Sequence, residues 1–135
     1  MADRSHELKP PRDDPDVRVL MLPRDTNGEG SIFGGVILSY IDQAAFVEAR
    51  RQAHHRYVTV AMKEVVFKAP VYVGDVLSLY AQAIKLGRSS ITVEVKVMAE
   101  RFEPPRRSAH VTEAEVVMVA VDDDRQPCEI VIDGA

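Results

Sequence analysis

At 135 residues and 46% hydrophobic, the chain has enough apolar material for one core and too little length for two ordinary domains. A formal charge of −4 excludes the basic face that neutralising a phosphate backbone requires, so no nucleic-acid partner is expected. A single cysteine, Cys128, rules out an intramolecular disulfide, and no apolar run has the length of a membrane span. The expectation is a cytoplasmic protein with no membrane contact, in which Cys128 is a tolerated residue of a polar tail and not a nucleophile.

Residues 1–16 carry Pro10, Pro11 and Pro15 among mixed charges, the composition of a disordered or draped arm. Val17 to Leu22 reads as a short strand closed by Pro23. From Gly34 the period changes: Val36, Ile37, Tyr40, Ile41, Ala44, Ala45 and Val47 recur at spacings of three and four. That spacing predicts one long helix from about Gly35 to about His54. Arg50, Arg51, His54 and His55 crowd its end, where positive charge suits the macrodipole; a metal site needs more ligands than this stretch supplies.

After Tyr57 the chain has strand chemistry. Val58, Val60 and Met62 keep one phase and Val65, Phe67, Ala69 and Val71 the other, so a bulge or sharp bend is expected near Lys63 and Glu64. Gly74 and Asp75 supply a turn before a strand that begins at Leu77, and Gly87 and Arg88 mark a tight hairpin. Ile91 to Ala99 alternates cleanly, which predicts a strand with one wet face. Val111 to Val121 is apolar on both phases in its second half and reads as a central strand covered on both faces. Asp122 to Ala135 reads as a partly ordered tail. The order implies one domain over residues 17–122, an α+β fold with a single long helix against a curved antiparallel sheet of about five strands.

The candidate chemistry lies in residues 25–42, DTNGEGSIFGGVILSYID. Its glycines fit neither a P-loop nor a dinucleotide fingerprint. Gly34 and Gly35 fall where the first helical amides are unpaired, and such amides suit an oxygen that gains charge during acyl transfer; close packing of helix on sheet would ask for the same glycines. Asp42 sits in the apolar part of the helix, where a carboxylate is costly unless it is paired or employed. A salt bridge to a sheet cation would explain it, as would a role as general base or nucleophile. Seven helical residues separate Gly35 from Asp42, about 10 Å along the axis. One chain cannot easily bring both to one reacting carbon, which predicts a site shared across a symmetric dimer.

The segments DTNGEGSIFGG with ILSYID, VTVAMKEVVFKAPVYVGD and LGRSSITVEVKV together resemble the YciA-type hotdog-fold acyl-CoA thioesterases over residues 17–122. The resemblance implies a hotdog fold, hydrolysis of acyl-CoA to free acid and coenzyme A, and dimers that assemble further into hexamers as trimers of dimers. It implies Asp42 as base or nucleophile, Asn27 as the residue orienting thioester or water, and the Gly35 amide as donor to the thioester carbonyl. Asn27 and Asp42 of one site would come from opposite subunits. Gly34 would join the substrate site, and Gly87, Arg88, Ser89 and Ser90 resemble the segment that touches the pantetheine and nucleotide end of coenzyme A. Lys68, Arg106 and Arg107 are the candidates for its phosphates. No metal or other cofactor is implied beyond the coenzyme A of the substrate itself. Ser31 departs from the pattern, since many relatives carry aspartate before Ile-Phe-Gly-Gly. The competing readings within the fold are a non-catalytic acyl-CoA or acyl-carrier binding module and a hydroxyacyl-thioester dehydratase, for which His110 is poorly placed.

Overall fold

The computed structural model describes residues 3–101 and 107–132. Five strands, β1 (Val17–Leu20), β2 (Arg56–Lys63), β3 (Val76–Leu86), β4 (Ser90–Glu100) and β5 (Ser108–Val121), form one antiparallel sheet in the order β1-β3-β4-β5-β2. The one long helix, α1 (Gly34–Gln52), lies across it. Helix and sheet meet through small residues: Ala44, Ala45 and Ala49 are buried together with Ile37 and Ile41, so the helix can approach closely. The opposing wall is the alternating face of β4, in which Ile91, Val93, Val95, Val97 and Ala99 are fully buried. Period 3.6 facing period 2 is the whole logic of this core.

Several expectations need correcting. β2 stops at Lys63, and Val65 to Val71 do not continue a strand in the other phase. The phase slip is taken up twice, by a register shift between Thr59 and Ala61 and by a left-handed Glu64 at φ 57°. Residues 64–71 instead cross the end of β5, with Lys68 N–H donating to the Val111 carbonyl at 2.7 Å and Thr112 Oγ1 donating to the Val66 carbonyl. The strand order makes β4 the middle strand, with β5 one place nearer the edge. Only one side of β5 is covered: Val116, Met118 and Ala120 are buried, while Val117 and Val119 are half-buried on the outer face.

Residues 3–16 are draped along the molecule. β1 covers β3 only as far as Leu79, and the arm continues that cover. Asp16 N–H donates to the Leu79 carbonyl, Ala81 N–H donates to Asp16 Oδ2, and at the far end Arg4 N–H donates to the Leu86 carbonyl. The tail behaves similarly: after a turn at Asp122–Arg125 it runs back, and Ile130 is 0% exposed. Its burial explains the order of a segment whose polar composition hides one apolar anchor. No helix is long and apolar enough to cross a membrane.

Candidate active site

The loop between β1 and α1 is a small hairpin of its own. Thr26 bridges Ile32, Ser31 bridges Tyr72, and Gly30 turns at φ 87°, a value that favours glycine. Asn27 sits at the tip with its side chain employed locally: Oδ1 accepts from Glu29 N–H at 2.7 Å, and Nδ2 donates to Ser31 Oγ at 3.0 Å. Ser31, the departure from the thioesterase pattern, is therefore the group that holds the Asn27 amide. Phe33 precedes the helix and is exposed, and a Cβ at Gly34 would rest 3.5 Å from the Phe67 ring. Around Gly35 the space is open, and its amide and that of Gly34 donate to no backbone group among the described residues. Two N–H groups without a backbone acceptor, at the positive end of a nineteen-residue helix, suit an oxygen that gains negative charge.

Two turns further on, Asp42 faces β2. Thr59 Oγ1 donates to its Oδ1 at 2.5 Å, and Oδ2 has no hydrogen-bond partner among the described residues. Asp42 is half-buried, and among the described residues no sheet cation pairs with it, so its partner there is Thr59 and not a salt bridge. It lines a cavity of about 540 Å³ with Phe46, Val47, Tyr57, Val58, Thr59 and Met118. An ionisable group with one oxygen oriented and the other turned loose, at the mouth of an apolar cavity, can accept a proton from water.

The carboxylate that the helix does bury is Glu48, at 1% exposure, and the sequence reading passed over it. Arg51, the Gln52 side-chain amide and the Ala83 amide of β3 all donate to it. A signal was available: Glu48 stands seven residues from Ile41 and four from Ala44, on the buried stripe, whereas Asp42 lies off it. Thr59 was also missed, because only the fold brings it opposite Asp42.

The Gly87–Ser90 turn is the tight hairpin expected, closed by Gly87 N–H donating to the Ser90 carbonyl at 2.8 Å. With Asp3, Lys63, Lys85, Thr92 and Val117 these four residues line a second cavity, of about 640 Å³. Met118 lines the first cavity and Val117 the second, and no residue lines both. One chain thus keeps Asp42 and the hairpin apart. The phosphate candidates are scattered likewise. Lys68 pairs with Glu113 at 3.6 Å, and Glu113 stands six residues, about 20 Å, from the β5 partner of Ser90. Arg107 lies beyond the opposite end of β4, and Arg106 falls outside the described residues. Lys63 and Lys85, which the sequence reading did not single out, are the cations beside the hairpin. Among the described residues no group of three His, Cys, Asp or Glu could hold a metal ion.

A lone helix laid on a curled five-stranded antiparallel sheet, with free amides at its start and an oriented carboxylate two turns in, is the hotdog arrangement. The profile of the Thioesterase superfamily matches residues 29–101, and the chain belongs to that family. Over 96% of its length it is 40% identical to an uncharacterized acyl-CoA thioester hydrolase of Zymomonas mobilis, 85% of which is covered. It is 38% identical to the acyl-CoA thioester hydrolase YciA of Salmonella typhimurium, over 87% of this chain and 90% of that one. Among solved structures, a hexameric hotdog fold thioesterase of Campylobacter jejuni superposes with a TM-score of 0.84 at 41% identity, covering 89% of this chain and 93% of its own.

Proposed function

We propose that the protein hydrolyses acyl-CoA thioesters to a free acid and coenzyme A, in sites assembled between two copies of the chain. The observation that carries the chemistry is the Asp42 carboxylate, held at Oδ1 by Thr59 and open at Oδ2 to an apolar cavity. Asp42 takes a proton from water as its oxygen bonds to the thioester carbon. The carbonyl oxygen gathers charge against the Gly35 amide of the other copy, where a helix start is most favourable to it. Asn27 of that copy orients the water or thioester. As the intermediate collapses, the carbon–sulfur bond breaks and the proton passes to the departing thiolate. The pantetheine and phosphates of the substrate lie along Gly87–Ser90, with Lys63 and Lys85 as countercharges.

Three features support assembly from more than one chain. Gly35 and Asp42 are seven residues apart on one helix, so their functional groups point to different places about 10 Å apart. The Asp42 cavity and the hairpin cavity share no lining residue. β2 leaves its outer edge unpaired and exposes Val58 and Val60 at 42% and 57%, apolar surface that pairing with a second β2 would cover. Relatives described as hexameric extend this to a trimer of dimers. A cytoplasmic setting fits the unpaired Cys128. A dehydratase would want a histidine at the reacting carbon, and His110 stands instead 3.8 Å from Glu113, eight residues along β5 from the Met118 wall.

Turnover of a series of acyl-CoAs by wild type and Asp42→Ala tests the reading. The expected loss in kcat is about 10²–10⁴-fold, the range of a positioned general base. Undiminished turnover in the variant would remove Asp42 from the mechanism, and coenzyme A binding without hydrolysis of any thioester would favour the binding module.

A further inference from the structure

Arg4, in the N-terminal arm, commits its whole guanidinium to the region behind the Gly87–Ser90 hairpin. Its Nη1 donates to the carbonyls of Gly87 at 3.2 Å and Arg88 at 3.4 Å, and its Nη2 donates to the Ile130 carbonyl at 2.8 Å. Nε and Nη2 also hold the Glu7 carboxylate, at 2.8 and 3.1 Å. One side chain thereby ties arm, hairpin and C-terminal tail together. The backbone reinforces the tie: Leu86 N–H donates to Ser5 Oγ at 3.3 Å, and Ile130 N–H donates to the Arg88 carbonyl at 2.8 Å.

The consequence for the hairpin is electrostatic. All four of its carbonyls have donors: Gly87 from Arg4, Arg88 from both Ile130 N–H and Arg4, Ser89 from Ala120 N–H, and Ser90 from Gly87 N–H. The amides of Arg88 and Ser89 donate to no backbone group among the described residues. A turn whose negative dipole ends are consumed and whose positive ends are free is receptive to an anion. The cavity it lines adds Lys63, Lys85 and Arg88. Asp3, the one acid on that lining, has its Oδ1 engaged by the Ser5 hydroxyl and amide, which both donate to it.

We propose that Arg4 is a positioning residue of the ligand site: by holding the hairpin carbonyls from behind, it presents the free amides and the lysines to the phosphates of coenzyme A. This rests on the acyl-CoA reading above. Arg4 does not touch the reacting carbon, so its effect falls on binding of the phosphate-bearing end and leaves chemistry alone. Lysine cannot replace it, because a point charge lacks the fork that reaches two segments and a carboxylate at once.

The test uses the full chain with Arg4→Ala, Arg4→Lys and Glu7→Gln, which loosens Arg4 without removing it. Calorimetry with coenzyme A itself reads the tie whether or not any thioester is hydrolysed, which separates this proposal from the proposed reaction. The dissociation constant is expected to rise about tenfold for Arg4→Ala and nearly as much for Arg4→Lys, as loss of charge-assisted hydrogen bonds implies, and less for Glu7→Gln. Steady-state turnover should show the rise in KM at unchanged kcat for acyl-CoA, and a clearly smaller rise for the matching acyl-pantetheine, which lacks the nucleotide end. An unchanged dissociation constant in Arg4→Ala would overturn the proposal, as would equal losses on acyl-CoA and acyl-pantetheine.

Discussion

The two acidic residues on α1 have opposite fates, and six positions of helical phase decide them. Glu48 falls on the stripe with Ile41, Ala44 and Ala45, faces β3 and is buried among donors; Asp42 falls beside that stripe and meets Thr59 at the rim. Glu48→Ala is expected to cost about 3–5 kcal/mol in a denaturant titration, since Arg51 and the Ala83 amide would lose their buried acceptor. A cost under 1 kcal/mol would show that water reaches the site freely. Asp42 was singled out from sequence as a carboxylate in the apolar part of the helix, but the apolar pattern alone does not say which of two acids is sunk, and the buried one is Glu48. Thr59 had no local signal. Its importance comes from a cross-element contact seventeen residues from Asp42, and neither periodicity nor spacing reports on such a contact.

Among the elements, the helix and β4 were legible because each buries one face in a single period, as does β3 as far as Ala83, beyond which a register shift moves the buried phase to Leu86. The stretch after β2 was not, since alternation in Val65–Val71 looks like a strand until the left-handed Glu64 takes the chain out of the sheet. β5 misled in another way: Val117 and Val119 are apolar without being covered within the chain. The arm was half legible, as proline and charge argue against a packed helix but say nothing about hydrogen bonds to β3. Its attachment has a pH signature. Glu7 is held below its ordinary pKa by the Arg4 guanidinium, and Asp3 below its own by the Ser5 hydroxyl and amide. A carboxyl whose folded pKa is depressed contributes stability above its unfolded value and loses it as pH falls through the folded one. The Glu7 and Asp3 contribution to holding the arm should therefore be complete in neutral solution and fade as acid takes the pH below their ordinary values. Protection of the Leu86 amide from hydrogen exchange across a pH series reads this directly; protection unchanged well below the ordinary glutamate range would contradict it.

At the scale of the whole molecule, the site's halves are separated by geometry that no side-chain motion can close. The helix axis sets Gly35 and Asp42 apart, and the Asp42 cavity and the Gly87–Ser90 cavity share no lining residue. Subunit mixing tests the shared site. Asp42→Ala and Asn27→Ala are each expected to be inactive alone, and co-refolding them should restore part of the turnover, because each mixed pair contains one site with both residues intact. No recovery from mixed pairs confirmed by native mass would place both residues in a site of one chain.

The unequal treatment of the two sheet borders has a consequence for growth. On the β3 side, the border is closed off by four-residue β1 and then by Asp16 through Arg4, with Pro15 and Pro23 flanking the strand. On the β2 side it is left open. Edge strands template further pairing unless they are short or flanked by proline, so the two borders do not invite a second copy equally. By committing its hydrogen bonds to β3, the arm leaves the β1 border the poorer template of the two.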